Sequence, residues 1–134
     1  MNKEFIADYK KLKELDEEFE FEIEDGTAYY QIRQKYDYRI LFGKDLKTAM
    51  AYIAIRNEDL DMVKKAFDAN HELWEEIFGD SAENVEVLEV FGDNSILCKI
   101  HTERDYDTVV RVCSYVEWEP EGFDGWPAWQ IRVW

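Results

Sequence analysis

Hydrophobic residues at the start of the chain recur in steps of three and four: Phe5, Ile6, Tyr9, Leu12, Leu15 and Phe19, with Lys and Glu between them. That spacing predicts one face of an amphipathic helix. At Phe19 the period changes to two, and Phe19, Phe21 and Ile23 alternate with Glu20, Glu22 and Glu24 as in a half-exposed strand. Asp25-Gly26 then predicts a tight hairpin turn. Thr27–Arg33 and Tyr36–Phe42, rich in Tyr and Ile, predict two further strands, and Gly43-Lys44-Asp45 ends the group. Thr48–Ile55 carries conflicting signals. Its alanines favour helix, its Tyr52-Ile53-Ala54-Ile55 end favours strand, and we take it as a strand.

A central helix is predicted from a cap at Asn57, with Leu60, Val63, Phe67, Asn70, Trp74 and Ile77 on one face and Gly79 at its end. Val85–Phe91, Ser95–His101, Thr108–Trp118 and Ala128–Trp134 predict strands, the first two joined by a hairpin at Gly92-Asp93-Asn94. The pattern as a whole predicts an α+β fold: an N-terminal amphipathic helix, a mainly antiparallel sheet and one central helix packed on it. No internal repeat interrupts it. A chain of 134 residues fits a single domain, 1–134, with a core that needs neither disulfide nor metal.

Charge narrows the functional classes. The chain holds 31 Asp and Glu against 16 Lys and Arg, a net charge of −15, beyond the magnitude of about 2–8 usual for a small soluble domain. The excess is uneven. Residues 1–67 hold 15 acidic and 12 basic residues, whereas 68–134 hold 16 acidic and four basic ones: Lys99, Arg104, Arg111 and Arg132. Such a field repels phosphate backbones and anionic lipid and attracts basic proteins. We therefore expect no direct nucleic-acid or membrane binding, and a basic protein as partner.

The carboxylates fall in clusters. Glu72, Glu75, Glu76, Asp80, Glu83, Glu86 and Glu89 form a run from the central helix into the next strand, and Glu117, Glu119 and Glu121 repeat at two-residue spacing, with Pro120 expected to end the strand midway. Glu20, Glu22 and Glu24 form a secondary ladder, spaced about 6.6–6.8 Å apart at the rise of an extended chain. Neighbouring phosphates on a nucleic-acid strand are separated by distances of that order. Around the second cluster lie Trp118, Phe123, Asp124 and Trp126, in a segment holding both prolines, Pro120 and Pro127. Large aromatics rimmed by acids resemble the anchor of a protein interface. The competing expectation is that Trp118, Trp129 and Trp134 pack into the sheet.

Catalytic signals are sparse. His71 and Glu75 stand one helical turn apart without a third ligand nearby, and the expected alternation puts Cys98 and His101 on opposite strand faces. No phosphate-binding loop or nucleophile elbow is present. We expect no cofactor, no metal and no enzymatic activity. Met1-Asn2-Lys3-Glu4-Phe5 leads straight into the amphipathic pattern without the basic and apolar regions of a secretory signal, so free thiols in a bacterial cytoplasm are expected.

These features suggest a small acidic inhibitor that binds a basic nucleic-acid-binding surface of a nuclease or defence effector. It would act as phage anti-CRISPR or anti-restriction proteins can, by carboxylate mimicry of nucleic acid. An immunity protein that neutralises a basic nuclease toxin predicts the same surface. A small enzyme of unknown reaction is the third class, and would require a pocket with a perturbed titratable cluster.

Overall fold

Phe19–Glu24 (β1) and Thr27–Arg33 (β2) pair antiparallel through Asp25-Gly26, whose φ values of 51° and 78° match a turn with two left-handed residues. The computed structural model describes residues 10, 13, 14, 16–34, 38–101 and 107–133. The amphipathic helix expected from Phe5 to Phe19 lies almost wholly outside them, and Phe19 itself opens β1. Arg39–Gly43 (β3) continues the antiparallel meander.

Three helices follow. Leu46–Arg56 (α1) starts at Asp45, whose carboxylate accepts hydrogen bonds from the backbone N–H of Lys47 and Thr48 at 2.9 and 3.2 Å. The strand expected at Thr48–Ile55 is therefore a helix. Its signals conflicted because all seven residues from Ala49 to Ile55 are buried, so no polar face marks the period. α1 lies on β2 and β3 and against the next helix.

The single central helix expected from Asn57 to Gly79 is two helices, Leu60–Asp68 (α2) and His71–Phe78 (α3). Asn57 closes α1, and Asp59 caps α2 through a 3.0 Å bond from Met62 N–H. Asn70, expected on an apolar helix face, is instead the cap of α3. Its Oδ1 accepts from Leu73 N–H at 3.2 Å and its Nδ2 donates to Thr48 Oγ1 at 3.4 Å, tying α3 to α1. The break is local chemistry: Asn competes for backbone donors inside a helix and stabilises a helix start. Gly79 ends α3 at φ 59°, as expected, and a 3-10 turn, Gly79–Asn84, leads into the second strand group.

Val85–Phe91 (β4), Ser95–His101 (β5), Asp107–Trp118 (β6) and Asp124–Val133 (β7) form a second antiparallel meander. β7 begins at Asp124 rather than at the expected Ala128. β3 and β7 pair in parallel through Arg39↔Asp124 and Ile40↔Gly125, joining the meanders into a seven-stranded sheet of order β1-β2-β3-β7-β6-β5-β4. Pro127, which lacks a backbone donor, lies beyond that short ladder.

The helices cover one sheet face. Phe19, Ile32, Ile40, Ile96, Cys98, Val110 and Val112 point into the buried layer with the inner sides of α1 and α2. Phe67 is fully buried and centres an aromatic stack, 4.0 Å from Trp74 and 6.1 Å from Trp129 between ring centroids. The opposite face carries Glu20, Glu22, Gln31, Arg33, Arg39, Arg111, Cys113 and Glu117 by strand alternation.

Candidate functional site

The predicted carboxylates fall into three groups with different surroundings. In the first, Glu20 and Glu22 share one guanidinium. Arg33 Nε donates to Glu20 Oε1 at 2.6 Å and Arg33 Nη2 to Glu22 Oε1 at 3.4 Å, while Gln31 Nε2 donates to both carboxylates. The Arg33 bond holds the Glu20 carboxyl below its ordinary pKa, against opposing desolvation. The ladder is therefore engaged within the sheet, leaving Glu24 at its end with no ion pair among the described residues.

The second group is spread over α3, the 3-10 turn and β4. Glu72, Glu75 and Glu76 are exposed on α3, and Glu86 and Glu89 are exposed on β4, an edge strand. Asp80 and Glu83 lie in the 3-10 turn between them, with side chains outside the description. Among the described residues no ion pair engages Glu72, Glu75, Glu76, Glu86 or Glu89. The basic residues of the same half that could screen this field are partly engaged elsewhere. Arg111 pairs with Asp93 and donates to Ser95 Oγ, and Lys99 Nζ lies 3.3 Å from Asp107. Leu88 is an inserted residue that breaks the β4 register and, with these acids, makes the edge a poor template for another strand.

The third group sits at the closed end of the β6–β7 hairpin. β6 ends at Trp118, the limit expected from the sequence, so Glu117 projects from the strand while Glu119 and Glu121 belong to the turn. β5 starts opposite Cys113, and Ser114 N–H bonds back to Asn94 O at 2.9 Å. The last residues of β6 therefore extend past the β4–β5 hairpin. On one face of this projecting arm Trp126 Nε1 donates to Glu117 Oε2 at 3.2 Å and Tyr115 Oη approaches Glu117 Oε1 at 3.4 Å. On the other, Tyr38 makes T-shaped contacts with Trp118 (5.4 Å, 83°) and Phe123 (5.1 Å, 70°).

Trp118, Phe123 and Trp126 are 40, 55 and 44% exposed, so the aromatics named from the sequence are surface residues. Trp129 packs on Phe67 as the core expectation had it, and Trp134 lies outside the described residues. Asp124 is no free acid: it takes a bidentate bond from Arg39, whose guanidinium it holds above the usual arginine pKa. Tyr38 and Tyr115 were not singled out in the sequence. Tyr38 reaches the cluster only because β3 runs beside β7, a pairing between segments 85 residues apart.

Two glycines leave room for neighbouring side chains at this end. A Cβ on Gly125 would stand 2.6 Å from Trp118 Cε3, and one on Gly122 would overlap the Glu119 carboxylate. Neither has positive φ, so the requirement is space for the neighbouring side chain. A groove of about 470 Å³ opens beside the turn, lined by Arg33, Arg39, Glu119, Gly122, Phe123 and Asp124.

Nucleophilic chemistry finds little support in the cysteines. Cys98 pairs with Val110 on the helix-covered face and Cys113 with Ser95 on the other, so the two cannot meet. Burial pushes the Cys98 thiol up to about 12, which leaves it protonated and inert. His101 Nδ1 lies 2.6 Å from Asp107 Oδ1, an exposed pair that lowers the Asp107 pKa. Among the described residues no three His, Cys, Asp or Glu side chains converge as metal ligands, and no helix is long and apolar enough to cross a membrane.

Comparison with protein-family models, with curated proteins and with solved structures finds no match to this chain.

Proposed function

We propose that this protein is an acidic inhibitor that binds a basic, nucleic-acid-binding surface of a nuclease or defence effector in the cytoplasm of a bacterial cell. The observation that carries the reading is the division of its carboxylates. Glu20 and Glu22 are tied to Arg33, Asp124 to Arg39 and Asp93 to Arg111, whereas Glu72, Glu75 and Glu76 on α3, Glu86 and Glu89 on β4, and Glu117, Glu119 and Glu121 at the hairpin end have no cation partner among the described residues. Uncompensated charge acts at a distance and steers a basic partner into encounter. The exposed aromatics at the hairpin end supply the apolar contact that holds a complex after encounter.

In this mechanism the protein performs no bond chemistry. It occupies Lys and Arg positions that otherwise hold phosphates, so nucleic acid and inhibitor compete for one surface. The test is a binding panel of purified basic nucleases, comprising CRISPR effectors, restriction nucleases and secreted nuclease toxins, each challenged with its own nucleic acid. Capture of one member, reversed by its substrate and weakened by salt, supports the reading. Capture of a toxin rather than an effector assigns the immunity role instead. Binding that nucleic acid does not displace, or a gel shift of DNA or RNA by the protein itself, overturns it.

A further inference from the structure

We infer that the groove beside the β6–β7 turn takes one arginine side chain of the basic partner, its guanidinium held between the Phe123 ring and the Glu119 carboxylate. The inference rests on the basic-partner reading above and names where that partner is gripped. The groove is of a size that holds small ligands, about 300–1,000 Å³. Two arginines in its lining suggest an anion site, but the charge balance argues the reverse. Arg33 is bonded to Glu20 and Glu22, and Arg39 is bonded bidentately to Asp124. With Glu119 added, two guanidiniums are set against four carboxylates.

Glu119 is the lining carboxylate without a cation partner among the described residues, and the missing side chain at Gly122 leaves room for it to fold over the turn. Phe123 lines the same groove, its ring in T-shaped contact with Tyr38, itself set against Trp118. Phe123 is 55% exposed. An exposed ring and a carboxylate without a cation partner lining one groove suit a cation that is attracted by both. Arginine fits better than lysine, because a planar guanidinium stacks on a ring and donates to a carboxylate at the same time.

The experiment is an amide NMR titration of the whole chain with a blocked Gly-Arg-Gly peptide, its citrulline counterpart and inorganic phosphate. The expected result is that the arginine peptide shifts the Gly122, Phe123 and Asp124 amides while the uncharged citrulline peptide leaves them in place. Glu119→Gln and Phe123→Ala should each weaken the arginine peptide about threefold or more. Phe123→Leu, which keeps apolar bulk and removes the ring, serves if the alanine variant disturbs the fold. Shifts of these amides by phosphate instead of the peptide overturn the inference in favour of an anion site. Shifts confined to α3 and β4 also overturn it, yet leave the basic-partner reading standing. Absence of any shift overturns it as well, and the nuclease panel then decides the wider reading independently.

Discussion

Arg39 and Asp124 are register partners across the parallel join of β3 and β7, and their side chains repeat what their backbones do. Arg39 Nε and Nη2 donate to the two carboxylate oxygens at 3.0 and 3.1 Å, while Arg39 N–H donates to Phe123 O at 2.8 Å. The backbone ladder there is short, so a charge-assisted clamp adds to the seam between the two meanders. Both side chains are about one-third exposed, which limits the gain. Asp124→Asn should destabilise the protein by about 1 kcal/mol, less at high salt. Urea denaturation at two ionic strengths checks this, and an unchanged midpoint would mean that backbone pairing suffices.

Phe67 and Phe123 should behave as opposites. Phe67 is fully buried between Trp74 and Trp129, so Phe67→Ala leaves a cavity in the helix–sheet layer and should cost about 3–5 kcal/mol. Phe123 is 55% exposed at the hairpin end, and Phe123→Ala should cost about 0.5 kcal/mol or less. Thermal unfolding of both variants decides. Equal losses would mean that the end cluster supports the fold as the core does.

The two thiols should differ in reactivity. Cys98 is buried with its pKa pushed up to about 12, whereas Cys113 is half-buried on the uncovered sheet face. Iodoacetamide should modify Cys113 in the native protein and reach Cys98 only on unfolding. Mass spectrometry counting two adducts on the native chain would contradict this burial.

Acid should erase the contribution of Glu20. Its folded pKa lies below the ordinary 4.5, chiefly through the bond from Arg33, so its stabilisation is present above that value and lost as pH falls through the lowered one. Glu20→Gln should therefore reduce stability at pH 7 and match the parent in strong acid. A difference that persists or grows toward low pH would refute the assignment.

Association kinetics separate the carboxylate groups. Replacing Glu72, Glu75 and Glu76 by Gln should change the melting temperature little, since the relief of exposed like charges is offset by loss of the favourable Glu72 charge in the first turn of α3. Once a nuclease from the panel is captured, the same variant should bind it more slowly and with a flatter salt dependence. A salt series by stopped flow gives the answer. Trp126→Ala should leave on-rates intact, and faster dissociation would place Trp126 within the contact.

Strand periodicity was visible in the chain because one side of the sheet is covered and the other is not. Phe19 and Phe21 against Glu20 and Glu22 show this, and so do the tight Asp25-Gly26 turn and the exact limits of β4 and β5. That asymmetry makes every second residue apolar, a purely local signal. α1 lost the signal through complete burial, and α2 and α3 ran together because their apolar faces continue one period across the Asn70 cap.

The sequence alone determined the sign and clustering of the charge, the hairpin turns, most strand positions and the surface candidacy of Phe123 and Trp126. Those properties depend on composition and on neighbours a few residues apart. Tertiary structure alone decided which carboxylates remain uncompensated, because ion pairing depends on side chains that meet across strands: Arg33 on Glu20 and Glu22, Arg39 on Asp124. It also decided that Tyr38 joins Trp118 and Phe123 at one end of the sheet. That meeting follows from the parallel pairing of β3 with β7, and no local pattern specifies a partner strand so distant in the chain.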